Sequence, residues 1–288
     1  MSRRIDAIVL PHLLSEWVLD KKKLPPKTVL GVVFETQRAS AHDKLAAVTP
    51  AAHRLGVRPG QTAAEAHASA ADLRIERVTR EDLEHELEGV LDIAARYGSL
   101  AGYSREGRAP DTVWVDVSGS AELFGGEAAL ALEIQERVRQ LGHAARVVIA
   151  SGPVVERALG SFGPINPSGT RIVEEHELPA ALGELPLAAL PLEEDKILWF
   201  SRLGILTIAQ MLALPAAETA VRLGRQSSRL FELARGRDTT PLVAVVPPRE
   251  LEASQDWDDP VEGSSVVLFA ARGLLSKLSA RLSRRGDV

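Results

Sequence analysis

The sequence predicts an α+β fold followed by a small all-helical unit, and three observations carry that prediction. β-Rich runs at 5–10, 28–34, 113–117 and 145–150 are interleaved with helical patterns as far as residue 161. From 178 to 236 every pattern is helical. Two prolines within Val243 to Pro248 then mark a linker. Strands alternating with helices suggest a unit of the ferredoxin-like kind, and the helical stretch suggests a separate domain.

Each element has its own justification. Ile5-Asp6-Ala7-Ile8-Val9-Leu10 is a short apolar run, the mark of a buried strand. Pro25-Pro26 interrupts the chain before Thr28 to Phe34, which is β-rich again. Ala46 to Leu55 and Thr62 to Ala71 read as short, Ala-rich helices around Gly56-Val57-Arg58-Pro59-Gly60. Thr79 and Asp82 form a capping-box pattern, and Leu83, Leu87, Val90, Leu91 and Ala94 make the stripe of the helix it opens. After the strand at 113–117, helix 127–141 is to pack through Leu130, Ile134, Val138 and Leu141. Glu133 lies four residues before Arg137, in ion-pair register. Strand 145–150 and helix 153–161 follow. At the end, Val267, Leu274, Leu275, Leu278 and Leu282 recur at helical spacing with no partner elements after them, the pattern of a fragment of something longer.

Composition narrows the function classes. The 288 residues suffice for two or more domains, with 45% hydrophobic and 25% charged residues as in ordinary globular proteins. The absence of Cys excludes disulfides and thiolate metal sites. No apolar run of about 18 residues is present, so no membrane span is expected. Arg3 and Arg4 are not followed by an apolar signal core, and the default expectation is a cytoplasmic location. A formal net charge of −5 weighs against strong autonomous DNA binding, which draws on Lys and Arg to neutralise phosphate.

Residues Pro110-Asp111-Thr112-Val113-Trp114-Val115-Asp116-Val117-Ser118-Gly119 read as a strand with an acid at its entrance. The stretch resembles the palm strand of the Y-family, lesion-bypass DNA polymerases, which carry an adjacent Asp-Glu pair there. Gly125-Gly126-Glu127, Ala145 to Ala150, Leu55 to Gln61, Glu65-Ala66, Leu203 to Ile208 and Ala234 to Asp238 follow the same family's pattern in order, so the resemblance covers nearly the whole chain. It implies an architecture like a right hand: palm over 1–28 and 79–173, fingers over 29–78, thumb over 174–246, and a linker with an incomplete little finger over 247–288.

The positions that carry the family's chemistry differ. Asp111 is present, but the Glu position is Thr112, and a neutral hydroxyl cannot replace a carboxylate in holding magnesium against a triphosphate. The family's first palm strand also bears a metal-binding Asp, whereas Ala7 to Leu13 holds no carboxylate and Asp6 sits displaced at the strand entrance. The residue that excludes ribonucleotides is replaced by Leu13 or Leu14. The Tyr, Arg and Lys that clamp the triphosphate fall at Pro50, His53 and Asn166, which bring little or no charge to phosphate. The thumb's Gly-rich helix-hairpin-helix turn is replaced by Leu190-Pro191-Leu192-Glu193-Glu194-Asp195-Lys196, whose acids oppose phosphate.

This set of losses resembles ImuB, the catalytically defective, polymerase-like subfamily of bacterial SOS mutagenesis cassettes. The resemblance implies an adaptor for error-prone translesion synthesis, nucleoid-associated and without a cofactor. Its implied partners are an error-prone C-family polymerase, ImuA or a RecA-like protein, the sliding clamp through a motif beyond residue 288, and primer-template DNA held weakly. Arg222, Arg225, Arg229, Arg235 and Arg237 are the candidates for a DNA-backbone face. Two alternatives stay open. One is a divergent Mg2+-dependent translesion polymerase, for which Asp6, Asp111 and Asp116 are the only nearby carboxylates. The other is a protein-interaction module without DNA binding.

Simpler readings stand beside these. Asp116, before Ser118-Gly119, suits a turn. Gly125-Gly126-Glu127 suits a turn with an acid in a helix's first turn. Lys21-Lys22-Lys23 suits a solvated loop, and Trp199-Phe200 suits core. The seven histidines have no metal-ligand spacing and read as solvated or locally bonded. Arg281, Arg284 and Arg285 make a basic end.

Overall fold

The structure, a computed structural model, describes residues 3–35, 44–103, 110–245, 253–255, 257 and 264–285. In chain order the elements are β1 (Ile5–Val9), α1 (Leu13–Lys21), β2 (Leu30–Phe34), β3 (Leu45–Val48), α2 (Pro50–Arg54), α3 (Ala63–Ser69), β4 (Arg74–Val78), α4 (Arg80–Ala94), β5 (Ala101–Tyr103) and β6 (Thr112–Asp116). Then come α5 (Glu127–Gln140), β7 (Arg146–Ala150), α6 (Pro153–Phe162), β8 (Thr170–Ile172), α7 (Leu178–Gly183), α8 (Glu194–Arg202), α9 (Ile208–Leu212), α10 (Ala216–Leu223), α11 (Ser227–Ala234) and α12 (Ser264–Arg285).

Five strands form the main sheet in the order β5-β6-β1-β7-β8, with β1 central and antiparallel to both neighbours. Side chains alternate across a strand, and the core divides accordingly. Ile8, Val113, Val115, Val147 and Ile149 pack on one face with the stripes of α4 and α5. Val148 and Ala150 face the other way, toward α6 and the helical segment from Leu178 onward. The capping box of Thr79 and Asp82 forms as read, and the α4 stripe is buried throughout. Glu133 pairs with Arg137.

The smaller sheet, β3-β2-β4, lies wholly within residues 30–78 and encloses its own small core around Leu45, Ala52, Val57, Ala66 and Leu73. Here the sequence reading needs correction. Ala46 to Leu55 is not one helix: residues 45–48 pair with β2 as a strand. The helix begins only at Pro50, with Thr49 as its cap. Sheet pairing overrides the helix preference of two alanines. Strands β4, β5 and β8 carry no alternation long enough to be read from sequence, and β5 and β8 are three residues each.

The helical segment holds to the chain before it through Asp238. Its carboxylate accepts hydrogen bonds from the backbone N–H groups of Val154 (2.7 Å) and Val155 (3.2 Å), capping α6. Gly152 has no side chain because one could not fit: a Cβ there would sit 2.6 Å from Asp238 Cγ. The linker expected over Val243 to Pro248 is in part docked. Val245 donates to Ala101 O of edge strand β5, while 246–248 lie outside the described residues. In α12 the stripe is also corrected. Leu274 and Leu278 are half-buried, but Val267 and Leu275 are exposed.

Candidate functional site: a carboxylate held by an arginine

The register of the main sheet decides which carboxylates meet. Leu10 donates its N–H to Asp111 O, and Val9 faces Thr112. Asp6 faces Val115, and Ile5 faces Asp116. At a rise of about 3.3 Å per residue, Asp6 and Asp116 lie at the far end of the strand pair from Asp111, roughly 13 to 17 Å away. The three carboxylates therefore do not converge.

Asp6 is not at a strand entrance, as read from sequence, but second in β1 and fully buried. Neither of its carboxylate oxygens has a hydrogen-bond partner. Burial pushes its carboxyl well above the usual range, and the charge of Glu127 pushes it further. Glu156 of α6 is also fully buried and raised, first by burial and then by Asp6, against a hydrogen bond from Ala150 N–H. Asp116 makes a local turn contact, accepting from Ser118 N–H at 3.0 Å.

Asp111 is already occupied. Arg157, on α6, grips it with a two-point fork: Nε donates to Oδ1 at 2.8 Å and Nη2 to Oδ2 at 2.5 Å. Thr112 Oγ1 adds a third donor to Oδ1 at 2.8 Å. Thr112 itself is 1% exposed. Trp114 Nε1 donates to Pro153 O, fixing the start of α6 against β6. The pair lies in a cleft of about 400 Å³ whose other walls are mainly apolar, including Pro153, Leu190, Pro191 and Leu242.

Magnesium does not fit this donor set. It demands several oxygen ligands at about 2.0–2.1 Å, and the lone pairs of the one carboxylate present are directed at a guanidinium. Among the described residues, no group of three or more His, Asp or Glu side chains could hold a metal ion. Pro50, His53 and Asn166, which the family resemblance puts at the triphosphate clamp, are all exposed, and Leu13 is buried.

The candidate arginines of the helical segment meet different fates. Arg222 stacks over the Trp199 ring at 4.8 Å. Arg229 donates to Thr240 Oγ1 at 3.3 Å, and Arg225 is exposed. Arg235 and Arg237 both lean on Glu232, Arg237 through two hydrogen bonds, so their charge is partly spent. Phe200 is core, as read. Glu194 and Asp195 sit in the first turn of α8, where the helix dipole favours acids, and Glu194 pairs with Lys44 at 2.6 Å. Lys22 and Lys23 pair with Glu76 and Asp20. The side chains of Arg281, Arg284 and Arg285 lie outside the described residues.

Residues 18–155 match the impB/mucB/samB family model. Protein ImuB of Caulobacter vibrioides is 29% identical over 232 residues, covering 81% of this chain and 49% of that protein. The chain is ImuB-like. DNA polymerase IV of Legionella pneumophila is 23% identical over 244 residues, 83% of the ImuB-like chain and 66% of the polymerase. Among solved structures, DinB from Sulfolobus solfataricus superposes with a TM-score of 0.63 at 17% identity, covering 83% of this chain and 69% of that one. An insertion ternary complex of Dbh DNA polymerase gives 0.62 at 17% identity, with the same coverage. The fold of the ImuB-like chain is thus that of a Y-family polymerase. The chain spans about half the length of the ImuB relatives it matches.

Three residues that matter were not legible in the sequence as site residues. Arg157 and Asp238 act on partners 46 and 84 residues away. His143, read as solvated or locally bonded, is instead buried between Glu16 of α1 and Glu86 of α4, at 3.3 and 3.4 Å. No local spacing announces any of them.

Proposed function

We infer that this chain is a non-catalytic Y-family polymerase homologue acting as an adaptor in error-prone translesion synthesis and damage-induced mutagenesis. The observation that carries the reading is the fate of Asp111. Phosphoryl transfer relies on metal positioning and charge neutralisation, and the one carboxylate at the palm strand's entrance is bound to Arg157 instead. The similarity to Protein ImuB supports the adaptor role. In that role the chain engages an error-prone C-family polymerase, a RecA-like or ImuA partner and the sliding clamp. It holds primer-template DNA weakly, through Arg222, Arg225 and Arg229 more than through the pair that leans on Glu232.

The similarity to DNA polymerase IV favours the alternative, a divergent active polymerase. Primer extension with Mg2+ or Mn2+, beside a gel shift on the same DNA, separates the readings. No extension with measurable, salt-dependent DNA binding is the expected result. Template-dependent extension that is lost in Asp111→Ala would overturn it. Absence of both signals would favour a protein-interaction module.

A further inference from the structure

We propose that Arg157 is the resident counter-cation of Asp111, a side chain built into the site where the fold family implies a divalent metal. The inference deepens the adaptor reading and rests on it. A carboxylate offers about four acceptor positions. In Asp111 the fork of Arg157 takes one on each oxygen, and Thr112 takes another on Oδ1. A metal at Asp111 would have to compete with the guanidinium, a group with fixed charge and a geometry matched to carboxylate, for the one acceptor position left.

The arrangement is held from both sides. Asp111 immediately precedes β6, and its carbonyl accepts from Leu10 N–H beside β1. Arg157 rides on α6, whose first turn is tied down by Trp114 and by Asp238. Both partners are about three-quarters buried, at 23% and 30% side-chain exposure, so water screens the pair less than it would a surface pair. Unlike a bound ion, the guanidinium is present at any metal concentration and stays charged at any pH the fold survives. A palm without a metal would leave Asp111 an uncompensated charge in an apolar cleft, and Arg157 removes that cost. Restoring Glu at 112 would therefore not be enough to rebuild a metal site, because the existing ligand is already committed.

The test compares wild type, Arg157→Ala, Arg157→Gln, Asp111→Asn and the Arg157→Ala/Asp111→Asn double variant. Bound Mn2+ is followed by electron paramagnetic resonance, and Tm is measured in EDTA and in millimolar Mg2+. The expected wild type has no Mn2+ signal that depends on Asp111, and its Tm is the same in EDTA and Mg2+. Arg157→Ala is expected to lower Tm by about 4–8 °C, to gain an Mn2+ signal that the double variant lacks, and to recover part of its Tm in Mg2+. Arg157→Gln keeps a polar side chain and serves if the Ala variant does not fold. Its expected behaviour is the same, with a smaller loss of Tm. An Mn2+ signal in wild type that Asp111→Asn abolishes would overturn the proposal. So would folded Arg157 variants with unchanged Tm and no Asp111-dependent Mn2+. Primer extension on the same samples keeps the two readings apart. Extension by a wild type without Asp111-dependent Mn2+ would sink the adaptor reading and leave the ion pair standing. Asp111-bound Mn2+ without extension would do the reverse.

Discussion

Replacing Asp238 tests how the helical segment is anchored to the main sheet. In Asp238→Ala the N–H groups of Val154 and Val155 lose their acceptor, and Thr240 N–H loses the 2.9 Å bond to Oδ1. Loss of a helix cap costs about 1 kcal/mol, and a hydrogen bond to a charged group about 1.5–3 kcal/mol. Asp238 is only 9% exposed, so water replaces the carboxylate incompletely. A total near 3 kcal/mol follows, or about 6 °C in Tm for a chain of this size. Asp238→Asn keeps an acceptor without the charge and is expected to lose about a third of that. Thermal melts give the totals, and hydrogen exchange at Val154 and Val155 localises them. A second comparison uses the close approach of Gly152. Gly152→Ala forces its new Cβ into Asp238, whereas Asp238→Gly removes the obstacle. The double variant should therefore lose less stability than the two single losses added together. Equal melts for wild type and Asp238→Ala, or strict additivity in the Gly152 cycle, would refute the anchoring argument.

Three further predictions concern titration and chemistry. Hydrogen bonds donated to the Glu16 and Glu86 carboxylates raise the His143 imidazole to about 9 against the cost of burial. Because the folded pKa lies above the ordinary 6.5, the stabilisation is complete below about 6.5 and disappears as pH rises through about 9. Melts from pH 6 to 10 should fall more steeply for wild type than for His143→Gln, and parallel curves would count against the clasp. Burial raises the Asp6 carboxyl above its ordinary 3.8, so its contribution is complete below that pH and is lost as pH rises toward the raised folded value. Asp6→Asn should gain stability over wild type at pH 8 relative to pH 5 in urea melts, and a pH-independent difference would contradict this. Thr112→Glu is expected to restore no nucleotide incorporation in primer extension, since Arg157 still holds Asp111; measurable incorporation would show that one carboxylate was all the site lacked.

What the sequence made legible follows from the range of the interactions. The capping box at Thr79, the α4 stripe and the Glu133–Arg137 pair depend on residues three or four apart, and all form as read. Strand β3 was misread because its identity is set by pairing with β2, more than ten residues upstream. At the site, Thr112 where the family resemblance implies a carboxylate was visible in one sequence, as was the absence of any acid from Ala7 to Leu13. The burial of Asp6 was half-visible, since an acid within an apolar run must either break the strand or surrender its charge. The partner of Asp111 was invisible, because an arginine four residues into a helix looks like any solvated residue until α6 packs across β1 and β7.

That invisible half carries the chemical argument. A missing carboxylate alone leaves a weakened metal site, which a nearby acid or a higher metal concentration could compensate. A cation delivered by the fold changes the problem, because a metal must then compete with a tethered guanidinium for the remaining ligand. The same logic holds at the start of α6, where N–H groups that could face an anion are taken by Asp238. With both charges answered from within the chain, the cleft between α6 and the 188–191 turn keeps mainly apolar walls. On the proposed adaptor reading, a polymerase fold without its chemistry stays stable in this way, since Asp111 and the start of α6 find their counter-groups within the chain.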